Sequence, residues 1–189
     1  MLLRAKKLAF LGLLLAVAVL LVILGGILDF NTLFLLAAAS FCIGIAIREH
    51  GLKLGFGFFL ASVILSVLLA PNKLYCITYA AMGLYLVLTE FIWLKLASGP
   101  ALKVGAPVKR KPINRARLFW ILKFIIFNII YIPLLLLAPQ LIYQGKILLN
   151  FKIFLLLFTG GQAALIIYDR AYYYFQSRIW GKFRRYFIT

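Results

Sequence analysis

The chain has 189 residues, of which 66% are hydrophobic and only 13% are charged, and its mean hydropathy is +1.07. Soluble domains carry about 45–50% apolar and about 25% charged residues, so this composition excludes a soluble globular protein. The charge is one-sided, with 21 Lys and Arg against four acidic residues and a formal net charge of +17. Because the basic residues lie between apolar runs, we expect them to meet anionic lipid headgroups, and we expect no nucleic-acid partner.

Six apolar segments are predicted to cross a bilayer, since about 20 mostly apolar residues span a hydrocarbon core of about 30 Å. The first follows Arg4, Lys6 and Lys7, as in a signal peptide. Its apolar run is about twice as long as such a signal and no small-residue cleavage site follows, so we expect a retained span. The predicted all-α bundle is a single membrane domain, 1–189, with spans at 8–28, 33–47, 52–70, 74–96, 118–143 and 147–168.

Between the fourth and fifth spans, residues 97–117 hold three prolines and six Lys or Arg, which predicts an exposed basic loop. Of the 21 Lys and Arg, 18 fall on the side of this loop and of both termini, and three fall on the other side. Since basic residues accumulate on the cytoplasmic side of membrane proteins, the N- and C-termini are both predicted to be cytoplasmic.

The tail, 170–189, has apolar residues at helical spacing and basic residues on the opposite side. This pattern is typical of an amphipathic helix in the headgroup region, and a partner-binding helix is the alternative. The apolar positions are Tyr172, Phe175, Ile179, Phe183 and Tyr186, and the basic positions are Arg178, Lys182 and Arg185.

Signatures of enzymes are missing from the sequence, which has no phosphate-binding loop, no zinc-protease motif and no nucleophile elbow. The four acidic residues are spread over four places, so a general acid–base pair is hard to assemble. Cys42, Cys76 and His50 lack the spacing of a metal site. We therefore expect no catalytic residues, no metal and no cofactor.

Ionisable residues within spans need a physical reason, because they are costly in lipid. Glu90 and Lys123 lie at similar predicted depths in the fourth and fifth spans, so an interhelical ion pair is available to them. The alternative is that Lys123 extends to the headgroups by itself. Asp169 and Arg170 are expected near Arg48 in a structural network.

The predicted outer side is the better place to look for a ligand. Polar and aromatic residues gather at its turns, and two amides lie deeper in the bundle. An interfacial aromatic belt would explain the tyrosines equally, whereas a rim of donors above aromatic rings suits a small amphipathic or anionic molecule. The predicted ligand-binding residues are Asp29, Asn31, Asn72, Lys73, Tyr75, Tyr79, Asn128 and Gln162.

Small residues one turn apart allow close contact between helix backbones. Gly12 and Ala16 form such a pair on the first span, and Gly57 and Ala61 form another on the third.

The chain resembles the S components of energy-coupling factor (ECF) transporters, which capture vitamins and related micronutrients. The likeness lies in six spans with a basic first helix, in KKLAFLGLLLA at 6–16, and in PNKLYCITYA at 71–80. KFIIFN at 123–128 and IYD at 167–169 are similar to S-component-like proteins of Gram-positive bacteria. The resemblance implies a non-catalytic subunit of the bacterial cell membrane that works with a transmembrane coupling subunit and two ABC ATPases.

In that family a small-residue pattern on the first helix docks onto the coupling subunit, and Gly12 and Ala16 are the matching positions. The alternative function is a membrane scaffold of the MreD type, which has a comparable size and acts through protein contacts. A tightly packed outer half would favour the scaffold, and a ligand between the outer loops would favour the transporter subunit.

The predicted orientation is tested by a cysteine introduced within 97–117. In intact cells this cysteine should resist membrane-impermeant thiol reagents, because the loop is predicted to face the cytoplasm. A cysteine replacing Asn31, at a predicted outer turn, serves as the positive control. Ready labelling of the loop cysteine would reverse the predicted topology.

Overall fold

A computed structural model describes residues 2–28, 31–97, 115–143 and 151–183, and within these ranges all regular secondary structure is helical. A π-helical stretch, Phe175–Trp180, continues the last α-helix. The α-helices are α1 (Leu2–Ile27), α2 (Thr32–His50), α3 (Leu52–Leu69), α4 (Lys73–Ala97), α5 (Arg115–Tyr143) and α6 (Phe151–Tyr174).

Five of these helices are long and apolar enough to cross a membrane, so the chain has the make-up of a multi-pass helical membrane protein. Helix α6 overlaps the sixth predicted span and is not among the five found in the part of the chain that the structure describes. The count of six spans and their orientation stay predictions. The five segments are Ala5–Ile27, Thr32–His50, Leu52–Leu69, Lys73–Leu96 and Arg117–Leu136.

The chain divides into an N-terminal unit, Met1–Ile126, and a C-terminal unit, Phe127–Thr189, with the boundary inside α5. Helix α2 is the centre of the N-terminal unit, where it packs against α1, α3 and α4. Every residue of α2 from Ala39 to Ile47 is buried. A helix that is apolar on all sides is suited to this position, because other helices cover each of its faces.

Two glycines let α3 and α4 approach this central helix. A β-carbon added at Gly55 of α3 would lie 2.7 Å from the Cα atom of Ile47. One added at Gly83 of α4 would lie 2.7 Å from Ile43 Cδ1 and 2.8 Å from Phe59 Cε2. The interhelical contacts therefore depend on the missing side chains at these two positions.

The connection between α2 and α3 is a single residue, Gly51. Its φ is +85°, a backbone conformation that glycine adopts without steric cost, and its N–H donates to Ile47 O at 2.8 Å. Between α3 and α4, Ala70 has an extended backbone (φ −74°, ψ 138°), as expected before Pro71. These short turns make α2, α3 and α4 successive hairpins.

In the C-terminal unit, α5 and α6 meet at Gly161, where an added β-carbon would overlap the Tyr131 ring. The tail is helical through residue 183, and residues 184–189 lie outside the described ranges. Tyr172 is fully buried, whereas Ile179 and Phe183 are exposed. The π-helical stretch widens the turn between them, so the α-helical spacing of the predicted apolar face does not continue unchanged through the tail.

Replacement of Gly55 by alanine should lower the free energy of unfolding by about 1–3 kcal/mol, because the new methyl group overlaps the backbone of α2. Gly57→Ala is the matched control, since Gly57 lies on the same helix with open space around it. The measurement is unfolding of purified protein in mixed detergent micelles. Equal stability of the two variants would show that α2 and α3 are not in close contact.

Candidate functional site

At the predicted outer turn between α3 and α4, two side chains cap helix ends. Asn72 Oδ1 accepts a hydrogen bond from the Leu74 N–H at 3.0 Å, as an N-cap residue of α4 does. Lys73 Nζ donates to the carbonyl oxygens of Val67 and Ala70, the latter at 3.1 Å, at the C-terminal end of α3. A lysine ammonium is favourable there because the last carbonyls of a helix carry partial negative charge.

The two tyrosines among the predicted ligand-binding residues, Tyr75 and Tyr79, are more buried than aromatic side chains of an interfacial belt would be. Tyr79 is 0% exposed, and its hydroxyl is within 2.8 Å of Ser62 Oγ, which in turn donates to Phe59 O at 2.8 Å. Tyr75 is half-buried and packs against the core of the N-terminal unit. Their predicted role in ligand binding stays a prediction.

Two further predicted ligand-binding residues, Asp29 and Asn31, belong to the turn before α2. Asn31 is exposed at the start of α2 and makes no side-chain capping bond, although its backbone oxygen accepts the Leu35 N–H at 3.1 Å. Asp29 lies outside the described residues.

The two amides of the C-terminal unit are brought together. Gln162 Nε2 donates to Asn128 Oδ1 at 2.7 Å and joins α6 to α5. Asn128 lies 11 residues after Arg117, where the candidate span begins, which is a depth of about 16 Å along the helix. Hydrogen bonds between amides in such spans contribute roughly 0.6–2 kcal/mol to helix association.

The amide pair leaves one polar atom unsatisfied. Gln162 Oε1 is buried, and among the described residues it has no hydrogen-bond partner. A buried acceptor without a donor costs about 1–3 kcal/mol. This oxygen can accept a hydrogen bond from an N–H or O–H group of a bound molecule. Such a hydrogen bond would remove the free-energy cost of the unsatisfied acceptor.

Aromatic side chains lie beside this pair. The Tyr131 ring lies against Gly161, the neighbour of Gln162, and its hydroxyl donates to Leu157 O at 2.8 Å. Phe127 stacks on Tyr131 with ring centroids 5.0 Å apart. The absence of a side chain at Gly161 therefore leaves room for the Tyr131 ring one residue before Gln162.

In the N-terminal unit, the buried carboxylate of Glu90 pairs with an arginine. Arg48 Nε and Nη2 both donate to Glu90 Oε1, at 2.9 and 2.6 Å, and the Glu90 side chain is 4% exposed. Sequence reasoning placed Arg48 in the same region but did not pair it with Glu90. The usable signal was the antiparallel order of the spans, which brings the end of α2 beside the end of α4.

Lys123 is buried over two aromatic rings. Its Nζ lies 4.4 Å from the Phe119 ring centroid and 5.1 Å from that of Trp120, and the residue is 2% exposed. Cation–π contacts of this kind stabilise an ammonium group away from water. Lys123 therefore does not extend to solvent, and its predicted ion pair with Glu90 stays a prediction.

The predicted partner interface on α1 is exposed. Gly12 and Ala16 both lie on the outer surface of the N-terminal unit, and nothing lies within 4 Å of a β-carbon added at Gly12. This small-residue face therefore does not pack within the described part of the chain, and it is accessible to lipid or to another protein.

Within the described ranges no three His, Cys, Asp or Glu side chains come together as metal ligands. No protein-family model matches the chain, and neither a curated protein nor a solved structure is significantly similar to it. The candidate sites are therefore the amide pair between α5 and α6, the capped turn before α4, and the open face of α1.

Two double-mutant cycles separate the partners of Glu90. Arg48→Met and Glu90→Gln should show a coupling energy of roughly 0.5–3 kcal/mol in unfolding experiments, because their side chains are in direct contact. The second cycle combines Lys123→Met with Glu90→Gln and tests the pair predicted from sequence. Additive effects in the first cycle would contradict the ion pair in the structure.

Proposed function

We propose that the chain is the substrate-capturing membrane subunit of an ECF-type ABC importer for a vitamin or another small micronutrient. The observation that carries the proposal is the Asn128–Gln162 pair, which leaves the Gln162 Oε1 acceptor buried without a donor among the described residues. Polar side chains at this depth are costly and mark ligand pathways in membrane proteins. The subunit recognises its substrate and performs no chemistry.

The proposed substrate site lies deeper than the outer turns. The Asn72 and Lys73 side chains are engaged at the ends of α4 and α3, whereas Gln162 Oε1 has no donor among the described residues. Recognition therefore depends on the middle of α5 and α6, and the outer turn of α3 and α4 serves as a rigid connection.

The proposed partners are a transmembrane coupling subunit and two ABC ATPases in the bacterial cell membrane. The exposed face of α1 at Gly12 and Ala16 supports docking of the coupling subunit, because small residues allow two helix backbones to pack closely. The basic residues of the predicted cytoplasmic side contact anionic lipids around the complex.

A membrane scaffold of the MreD type is the second candidate, and one observation favours it. Three of the predicted rim residues, Asn72, Lys73 and Tyr79, make hydrogen bonds within the fold. The outer end of the N-terminal unit is thus packed as a scaffold would be. Both candidates use the α1 face, but only the transporter subunit requires ATPases and a small molecule.

Affinity purification from the native membrane tests the proposed function. The wild-type chain should retain a coupling protein and two ATPases, and Gly12→Leu or Ala16→Leu should reduce their recovery at least severalfold, because a bulky side chain separates the packed helices. Val17→Phe is the matched control, because it adds similar bulk at an exposed position of α1 that is rotated about 100° from Ala16 around the helix axis. Recovery of the partners with this variant should equal that of the wild type.

Recovery of membrane proteins without any ATPase would contradict the importer and favour the scaffold. Unchanged recovery in both small-residue variants, with intact monomers, would show that α1 docks no partner through this face.

A further inference from the structure

The chemistry around Gln162 specifies which kind of molecule fits beside it. On α6, residues 155–168 carry no charged side chain, and on α5 the same holds for residues 124–136. An ion placed among these residues would lose its hydration without gaining a counter-charge from either segment. The nearest charged residues on the two helices, Lys123 and Asp169, are five and seven residues from Asn128 and Gln162, so an ion beside the amides would have no charged residue within one helical turn and is disfavoured there.

The polarity of the free atom adds a second requirement. Gln162 Nε2 is used by Asn128, so the group left over is the Oε1 acceptor, which is buried and without a donor among the described residues. A carboxylate or phosphate brings only acceptors to this oxygen and would be repelled. An N–H or O–H group would be attracted.

The shape of the site adds a third requirement. Gly161 allows the Tyr131 ring to lie flat against α6, and Phe127 stacks on that ring. The Tyr131 hydroxyl is already bonded to Leu157 O, so this residue contributes ring atoms rather than a second polar group. Flat apolar molecules pack on such rings.

We infer that the captured molecule is an uncharged ring compound with an N–H or O–H group, and that this group donates to Gln162 Oε1. The inference rests on the proposed function and names its substrate class. It differs from the small amphipathic or anionic molecule predicted at the outer turns, where the amine of Lys73 bonds to the carbonyl oxygens of Val67 and Ala70.

Three small probes of similar size distinguish the possibilities: benzamide is uncharged with an N–H donor, methyl benzoate is uncharged without a donor, and benzoate is an anion. Their dissociation constants are measured on the purified full chain by saturation-transfer NMR titration. Benzamide should bind about tenfold more tightly than either of the others, as one hydrogen bond to a buried acceptor predicts.

The variant Gln162→Leu should remove the preference for benzamide and leave the three probes within about twofold of one another. Thr159→Val is the matched control on α6, because the Thr159 hydroxyl is exposed and bonds only to carbonyl oxygens of its own helix. It should keep the wild-type preference. If Gln162→Leu fails to fold, the order of the three probes on the wild-type chain alone decides the test.

Equal or tighter binding of benzoate would overturn the inference in favour of an anionic ligand. A benzamide preference that survives in Gln162→Leu would place the acceptor elsewhere, and absence of binding by all three probes would also overturn the inference. These outcomes are separate from the proposed function, which fails when no ATPase is recovered with the chain, whatever the order of the probes.

Discussion

Where α3 crosses α2, Gly55 lies so close to Ile47 that no β-carbon fits between the two helices. In a bilayer the lipid chains are as apolar as the side chains, so helices associate where their surfaces pack closely rather than where they hide apolar area from water. At Gly83 of α4 the missing side chain instead leaves room for the side chains of Ile43 on α2 and Phe59 on α3. The position of α2 as the central helix, and with it the arrangement of the N-terminal unit, depends on these contacts.

Most of the polar side chains discussed above form hydrogen bonds or ion pairs within the fold, whereas one buried acceptor has no donor among the described residues. Asn72 and Lys73 complete helix ends, Tyr79 joins Ser62, and Arg48 neutralises the buried carboxylate of Glu90. Each of these contacts stabilises the helical arrangement. Gln162 Oε1 is buried without a donor among the described residues, so a ligand that donates a hydrogen bond to it would remove the cost of its burial.

The helices were predictable from sequence because long apolar runs and short polar turns define them, and the all-helical membrane class is confirmed. The central place of α2 was not predicted, although its small residues Ala37–Ser40 and Gly44 allow close approach on several faces. Hydropathy measures how apolar a segment is, and it carries no information on which helices are neighbours.

The candidate site was predictable only in part, for the same reason. Asn128 and Gln162 stood out as polar residues within spans, but their pairing depends on the rotation of α5 and α6 about their axes, which the sequence left open. Tyr79 looked like an interfacial aromatic because it lies two turns into α4, and only packing against α3 shows that its ring is covered. Glu90 was predicted to need a partner, and the packing of α2 against α4 brings Arg48 to it.

The central claim is that the chain captures a small molecule at Gln162. The most direct measurement is mass spectrometry of the small molecules extracted from the chain after purification from its native membrane, with wild type and Gln162→Leu compared at equal protein amounts. We expect an uncharged compound with an N–H or O–H group that is retained by the wild type and lost from the variant. Identical extracts from the two proteins would contradict it.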